Sequence, residues 1–264
     1  MIDTHIHSCF SGDSSTAPED QVQAALDKGL EALCFTDHYD EDYPDPSVDF
    51  VLDTPRYFQA VAAVASAHPK LPILTGVELG LQPKLASLYA DYCRRYPFDF
   101  VIGSTHLVEG ADPYYAAFWE HHTTRSALEA FFSVTLENIK VHDCFDSYGH
   151  LDYMIRYIPE GAGSFSYFDY TDLIDQCLRL LIHKGCALEV NTGGYKAGLD
   201  APNPGRDILL RYRELGGELL TTGSDAHTPL HVGCCMEKAY ALIRDCGFSH
   251  VALYRQRKPQ LLPL

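Results

Sequence analysis

The chain has no run approaching the ~18 apolar residues that span a bilayer, so no segment reads as a membrane crossing. It is poor in positive charge: 20 Lys plus Arg stand against 36 Asp plus Glu, a formal net charge of −16. Such a surface argues against non-specific binding to nucleic acid or anionic membrane. An anionic substrate remains compatible with it, because bound divalent cations would invert the local field. The nine cysteines include no CxxC spacing, and their number is odd. Several occupy apolar positions, where a free thiol acts as a small hydrophobe. The reading is a reducing, cytoplasmic protein without a disulfide framework. No basic start followed by an apolar stretch is found, so a cleaved signal peptide is not expected. Internal repeats, low-complexity tracts and linkers are lacking too. One domain over residues 1–264 is expected, with 46% hydrophobic content to fill its core.

What is present is alternation. Strand-like runs end at His7, His38, Glu78 and His106, then near His150, near Asn191 and at Asp225. Helical stretches separate them. The first is read from a capping-box spacing at Thr16-Ala17-Pro18-Glu19 and stops at Gly29. The second opens at Thr54-Pro55, with proline at its tolerated first position. Others cover about 83–95, 124–141, 170–184, 206–215 and 235–246. Strands alternating with helices imply parallel pairing through right-handed crossovers. The long connections, about 39–53, 107–122, 153–168 and 192–204, all follow strands. In α/β barrels that is the side on which sites are built. Val251–Tyr254 reads as a short terminal strand with a tail.

Chemistry-bearing side chains fall on the same side. His5 and His7 are two residues apart at one strand end, and so are Asp225 and His227 at another. Residues i and i+2 of a strand share a face. With Asp13, His38, Glu78, His106 and His150 they make six imidazoles and three carboxylates. That exceeds the roughly four ligands of one tetrahedral zinc, and it suits two or three ions with a carboxylate such as Glu78 between them. The mixed donors favour zinc, iron or manganese over magnesium or calcium. A single histidine after a strand is more often a hydrogen-bonded residue than a ligand. The case rests on the set recurring at strand ends. His68, His121, His122, His142, His183, His231 and His250 lie elsewhere and read as structural or solvated.

His5-Ile6-His7, Thr36-Asp37-His38, Gly76-Val77-Glu78, Gly103-Ser104-Thr105-His106, Gly149-His150-Leu151-Asp152 and Gly223-Ser224-Asp225-Ala226-His227 resemble, in order, the polymerase-and-histidinol-phosphatase (PHP) superfamily. The resemblance implies an α/β fold, a distorted (β/α)7 TIM-like barrel, with three divalent metal ions. Four further segments are similar to the monofunctional histidinol-phosphate phosphatases within it. They are Cys9–Ser14 with Asp13, His150–Tyr157 with Arg156, Glu189–Leu199 followed by Pro202 and Pro204, and Arg257-Lys258-Pro259. The resemblance then implies hydrolysis of L-histidinol phosphate in histidine biosynthesis, by attack of a metal-bridging hydroxide. It implies one ion held by His5, His7, Glu78 and Asp225, a second by Glu78, His106 and His150, and a third by Asp13, His38 and His227. Asp13, Glu78, Asp225 and His227 would take part in catalysis, and Arg156 and Tyr157 would bind substrate. Where relatives carry arginine after the sixth strand this chain has Lys196, a point charge without the guanidinium fork; Arg206 is the alternative. Asp40, Glu41, Asp42, Tyr43, Asp112, Tyr114, Tyr115 and Trp119 are candidates for the amino-alcohol end, and Asp37 for orienting an imidazole. The rival readings are a PHP phosphodiesterase or nuclease, a carbon–nitrogen hydrolase of the amidohydrolase type, and a non-catalytic metal-binding module.

Overall fold

Seven parallel strands form the frame of the computed structural model, which describes residues 1–264. They are β1 (Ile2–Ile6), β2 (Ala32–Phe35), β4 (Ile73–Gly80), β5 (Phe100–Ser104), β6 (Ser147–Tyr148), β7 (Ala187–Asn191) and β8 (Leu220–Gly223), hydrogen-bonded in that order. A two-residue strand, β3 (His38–Tyr39), resumes the line of β2 after a break and pairs His38 with Glu78 on β4. The ring closes where the first strand meets the last. His7 N donates to Ala226 O at 2.9 Å and Asp225 N to His5 O at 2.8 Å, and Asp3 beneath them accepts from Ser224 N at 2.9 Å. The architecture is the distorted seven-stranded barrel that the alternation and the resemblance imply.

Strands buried on both faces are nearly all apolar on their outer side, as Ile2 and Ile6 are in β1. The helices lie around the ring: α1 (Pro18–Asp27), α2 (Thr54–Ala67), α3 (Ala86–Arg95), the short α4 (Ala116–Trp119), α5 (Thr124–Val141), α6 (Thr171–Lys184), the short α7 (Gly193–Lys196), α8 (Arg206–Glu214) and α9 (Met236–Asp245). Arg211 of α8 donates to both oxygens of Asp175 on α6 and ties those two helices together.

Two local readings are corrected. The capping box expected at Thr16 does not form. Ala17 caps α1 without a side-chain bond. The Thr16 hydroxyl instead donates to the His227 carbonyl at 3.0 Å, as does Ser14 at 2.8 Å. A long-range acceptor outcompetes the local one, and it carries the Asp13 loop to the end of β8. The terminal segment is more than one strand. β9 (His250–Arg255) and β10 (Lys258–Pro263) form an antiparallel hairpin, turned at Gln256 and Arg257, both with positive φ. It docks under the barrel through Arg257 Nη2 to Cys144 O at 2.6 Å and Gln256 N to Asp99 Oδ1 at 3.0 Å. These acceptors precede β6 and β5, so the hairpin covers the end opposite the strand C-termini.

Candidate active site

At the C-terminal mouth, Glu78 at the inner end of β4 is the centre of the arrangement. Its Oε1 lies 2.9 Å from His150 Nε2, 3.2 Å from His106 Nε2 and 2.7 Å from the Ser104 hydroxyl. Its Oε2 lies 3.1 Å from His5 Nε2, 3.1 Å from His38 Nδ1 and 3.5 Å from His7 Nε2. Each oxygen therefore faces its own set of imidazoles. Asp225 Oδ1 is 3.6 Å from His7 Nε2. Asp13 Oδ2 reaches His227 Nε2 at 3.0 Å and His38 Nε2 at 3.7 Å. All nine sequence-predicted ligands converge here.

The pairing favours cations over a network of hydrogen bonds. His5 Nε2 and His7 Nε2 face one another at 3.1 Å, a contact in which two lone pairs aim at one place unless one nitrogen holds a proton. His38 Nδ1, though close to Glu78, has no hydrogen-bond geometry, and neither does His227 Nε2 beside Asp13. Buried polar atoms are seldom left so. Four ligand triplets have donor atoms within 4.8 Å of one another: His5/His7/Asp225, His5/Glu78/His150, His7/His38/His227 and His38/Asp40/His106. The residues present fit divalent metal.

Electrostatics point the same way. Burial alone would raise the Glu78 carboxyl, but charge on His5, His38 and His106 holds it well below the usual range. Burial would lower His38, but Glu78, Asp13 and Asp40 push it up to about 9. His7 moves the other way, held well below its ordinary value by burial and then by His227, His38 and His5. Two of the candidate ligands also carry backbone strain. Asp225 has φ 56° and His150 φ 22°. Left-handed conformations at non-glycine residues persist only where surrounding contacts hold them. Here Asp225 N bonds His5 O at 2.8 Å, and His150 N bonds Glu189 Oε2 at 2.8 Å. Gly223 admits no side chain, since a Cβ would sit 2.2 Å from that of His5.

One supporting residue was not singled out in the sequence. Glu189 on β7 accepts from His5 Nδ1 at 2.6 Å as well as from His150 N. It fixes the His5 imidazole and the His150 backbone at once, and nothing in the strand pattern distinguishes it from a core acid. Asp40, read as a substrate-facing candidate, lines the cavity and also holds His106 Nδ1 at 2.5 Å. Asp37 does orient an imidazole, but through a relay: it accepts from Ser11 Oγ at 2.9 Å, and Ser11 Oγ lies 3.0 Å from His7 Nδ1.

A cavity of about 470 Å³ opens above the cluster. Arg156 enters its wall, held on three sides by Asn203 at 2.7 Å, Asn191 at 2.9 Å and Asp225 at 3.0 Å. Tyr43, Phe50, Asp112, Tyr114, Tyr115 and Tyr157 complete the far side. Asp112 accepts from the Tyr43 hydroxyl at 2.8 Å. The other candidates are not in this wall. Lys196 donates to the Asp225 carbonyl at 2.7 Å, Arg206 lines a separate cavity, Asp42 pairs with Lys84 at 2.9 Å, Glu41 accepts from the Tyr39 hydroxyl and the Trp119 indole donates to Pro113 O.

Residues 3–193 match the PHP domain. A histidinol-phosphatase of Lactococcus lactis is 32% identical over 97% of this chain and 95% of its own length. A probable histidinol-phosphatase of Clostridium acetobutylicum is 31% identical over 95% and 96%. A crystal structure of the Lactococcus lactis histidinol phosphate phosphatase with zinc, L-histidinol and phosphate superposes with a TM-score of 0.89, at 31% identity, over 98% of each chain.

Proposed function

Because the chain belongs to the PHP-domain family, we propose that it is a metal-dependent phosphomonoesterase that hydrolyses L-histidinol phosphate to L-histidinol and phosphate, a step of histidine biosynthesis. The observation that carries the reading is the nine-residue cluster lying under a cavity that has one fixed arginine and an aromatic, acidic far wall. Likeness to a phosphatase that binds zinc, L-histidinol and phosphate supports it.

Phosphate monoesters resist hydrolysis because an anionic nucleophile must approach an anionic phosphoryl group, and enzymes acting on them supply up to ~10²¹-fold acceleration. Divalent cations supply Lewis-acid charge and make water acidic enough to attack near neutral pH. In this reading three ions would be held, one by His5, His7, Glu78 and Asp225, one by Glu78, His106 and His150, and one by Asp13, His38 and His227. Asp40 steadies the second set through His106. Glu78 serves two sets because its two oxygens face different imidazoles.

Arg156 neutralises charge at the phosphoryl oxygens. Its three fixed partners mean that little reorganisation is needed at the moment of reaction. Tyr157, Tyr114 and Tyr115 wall the imidazole end, where flat rings pack well, and Asp112 offers a carboxylate to the ammonium. Lys196 acts on Asp225 from behind and does not contact phosphate. The test is phosphate release by metal-reconstituted protein from histidinol phosphate, beside a phosphodiester and a cyclic amide. Turnover of the monoester is expected, and activity confined to the diester or the amide refutes the reading.

A further inference from the structure

Next to the active-site loops, but outside the cluster, two thiols stand in contact. Cys234 and Cys235 are consecutive, both half-buried, and their Sγ atoms are 3.6 Å apart. Cys235 caps α9 with φ 57°, the left-handed region. The peptide carbonyl between them, Cys234 O, accepts from Thr192 Oγ1 at 2.6 Å. Thr192 is the first residue after β7, and its own N–H bonds Gly223 O at 2.8 Å. It leads directly into α7, whose Lys196 holds the Asp225 carbonyl. Two hydrogen bonds through Thr192 thus connect the dithiol to the β8 backbone that leads to Asp225.

We propose that Cys234 and Cys235 are an oxidisable vicinal dithiol, closed to a disulfide by a hydroperoxide, and that closure lowers catalysis by turning the carbonyl that anchors Thr192. In the first step the thiolate of Cys234 attacks one peroxide oxygen. An S–O bond forms, the O–O bond breaks, and the leaving oxygen departs as water or alcohol. In the second step the Cys235 sulfur displaces hydroxide from the sulfenic acid, giving S–S and a second water with the Cys235 proton. The thiols lose two electrons and the peroxide gains them.

Ring strain makes the modification reversible. Adjacent Cα atoms lie about 3.8 Å apart across a trans peptide, whereas disulfides favour a separation of about 4.4–6.8 Å. The closed ring contains the Cys234–Cys235 peptide itself, so its plane must rotate or distort, and a strained disulfide is readily reduced. Of the nine cysteines, Cys9 is the exposed one. It is single, so its oxidation would yield no internal bond.

The experiment uses the metal-loaded full chain treated with hydrogen peroxide, then alkylated and mapped by mass spectrometry. The expected product lacks two hydrogens within the peptide spanning residues 234 and 235. Turnover should fall about fivefold, the size of one lost hydrogen bond of ~1 kcal/mol, and recover with dithiothreitol. Cys235→Ser should keep its untreated activity and resist both changes. Oxidation confined to Cys9 or other thiols overturns the site. A disulfide formed without change in turnover, or equal loss in Cys235→Ser, overturns the coupling. The mapping result does not depend on which ester the enzyme cleaves, so it stands or falls separately from the proposed reaction.

Discussion

Replacing Glu189 by glutamine changes one oxygen to an NH2 group and leaves the shape of the side chain alone. Both oxygens of Glu189 are in use. Oε1 accepts from His5 Nδ1 at 2.6 Å, and Oε2 accepts from His150 N at 2.8 Å and Asn191 Nδ2 at 3.1 Å. An amide cannot serve both sides. With its oxygen toward His150, the NH2 meets His5 Nδ1. That nitrogen must then accept, and the ring proton moves to Nε2, where it blocks the nitrogen aimed at Glu78 and His7. With its oxygen toward His5, the His150 N–H is left facing a donor while the backbone there is already strained at φ 22°. Either way about one buried charge-assisted bond is lost, ~1.5–3 kcal/mol. At ~1.4 kcal/mol per decade that is about 10–100-fold in cation affinity, the range found for groups that orient metal-binding histidines. Zinc affinity measured by competition with a chromophoric chelator should fall by that factor, and phosphate release should recover substantially at saturating zinc. Unchanged zinc affinity in a folded Glu189→Gln protein would refute the claim that Glu189 sets the His5 tautomer.

Four other outcomes follow from the same geometry. Arg156→Ala should raise KM about 10–100-fold, as expected for losing a charge-assisted contact of ~1.5–3 kcal/mol, with bound metal unchanged by elemental analysis; loss of metal would show that its role is to prop Asp225. Glu78→Gln should reduce the occupancy of two ion sets together, and loss of a single set would contradict the two-sided carboxylate. Chelation should lower Tm, and zinc restored to about 100 times its Kd should return ~2.7 kcal/mol per site, about 5–10 °C for a chain of this length; an unmoved Tm would argue against cations in the fold's interior. Asp175 is held below its ordinary value chiefly by Arg211, so its contribution is complete above ~3.9 and is lost as pH falls through the lowered value. Asp175→Asn should cost about 1 kcal/mol at neutral pH, and urea midpoints of the two proteins should converge in acid.

The candidate ligands were legible because strand geometry is local. His5 and His7 share a face by period two alone, and each of the other strand ends announces itself by an apolar run stopping at a polar residue. Closing the ring then brings them together with no further information. What escaped is whatever depends on the closed ring. Glu189 reads as any buried acid until the closed ring sets β7 beside β6 and within reach of β1. Asp40 reads as a loop acid until β3 resumes beside β4 and turns it toward His106. Thr16 has a capping residue's type and spacing, yet its hydroxyl goes to a carbonyl more than two hundred positions away. The terminal hairpin was half visible: Val251–Tyr254 has strand composition, but the return strand, Lys258–Pro263, is mostly exposed and carries no buried-strand pattern.

The seam between β1 and β8 also sets the order of events in the molecule's life. Asp3 and Ser224 are bonded across 221 positions, and the His5/His7 and Asp225/His227 pairs above them become neighbours only when that last gap is drawn shut. A nascent polypeptide on the ribosome, with β8 still unmade, lacks Asp225 and His227, which the first and third of the proposed sets need. In the proposed arrangement those two sets would be completed last, and an ion shared across the seam would then act as a clasp against the chain entropy of reopening so long a loop.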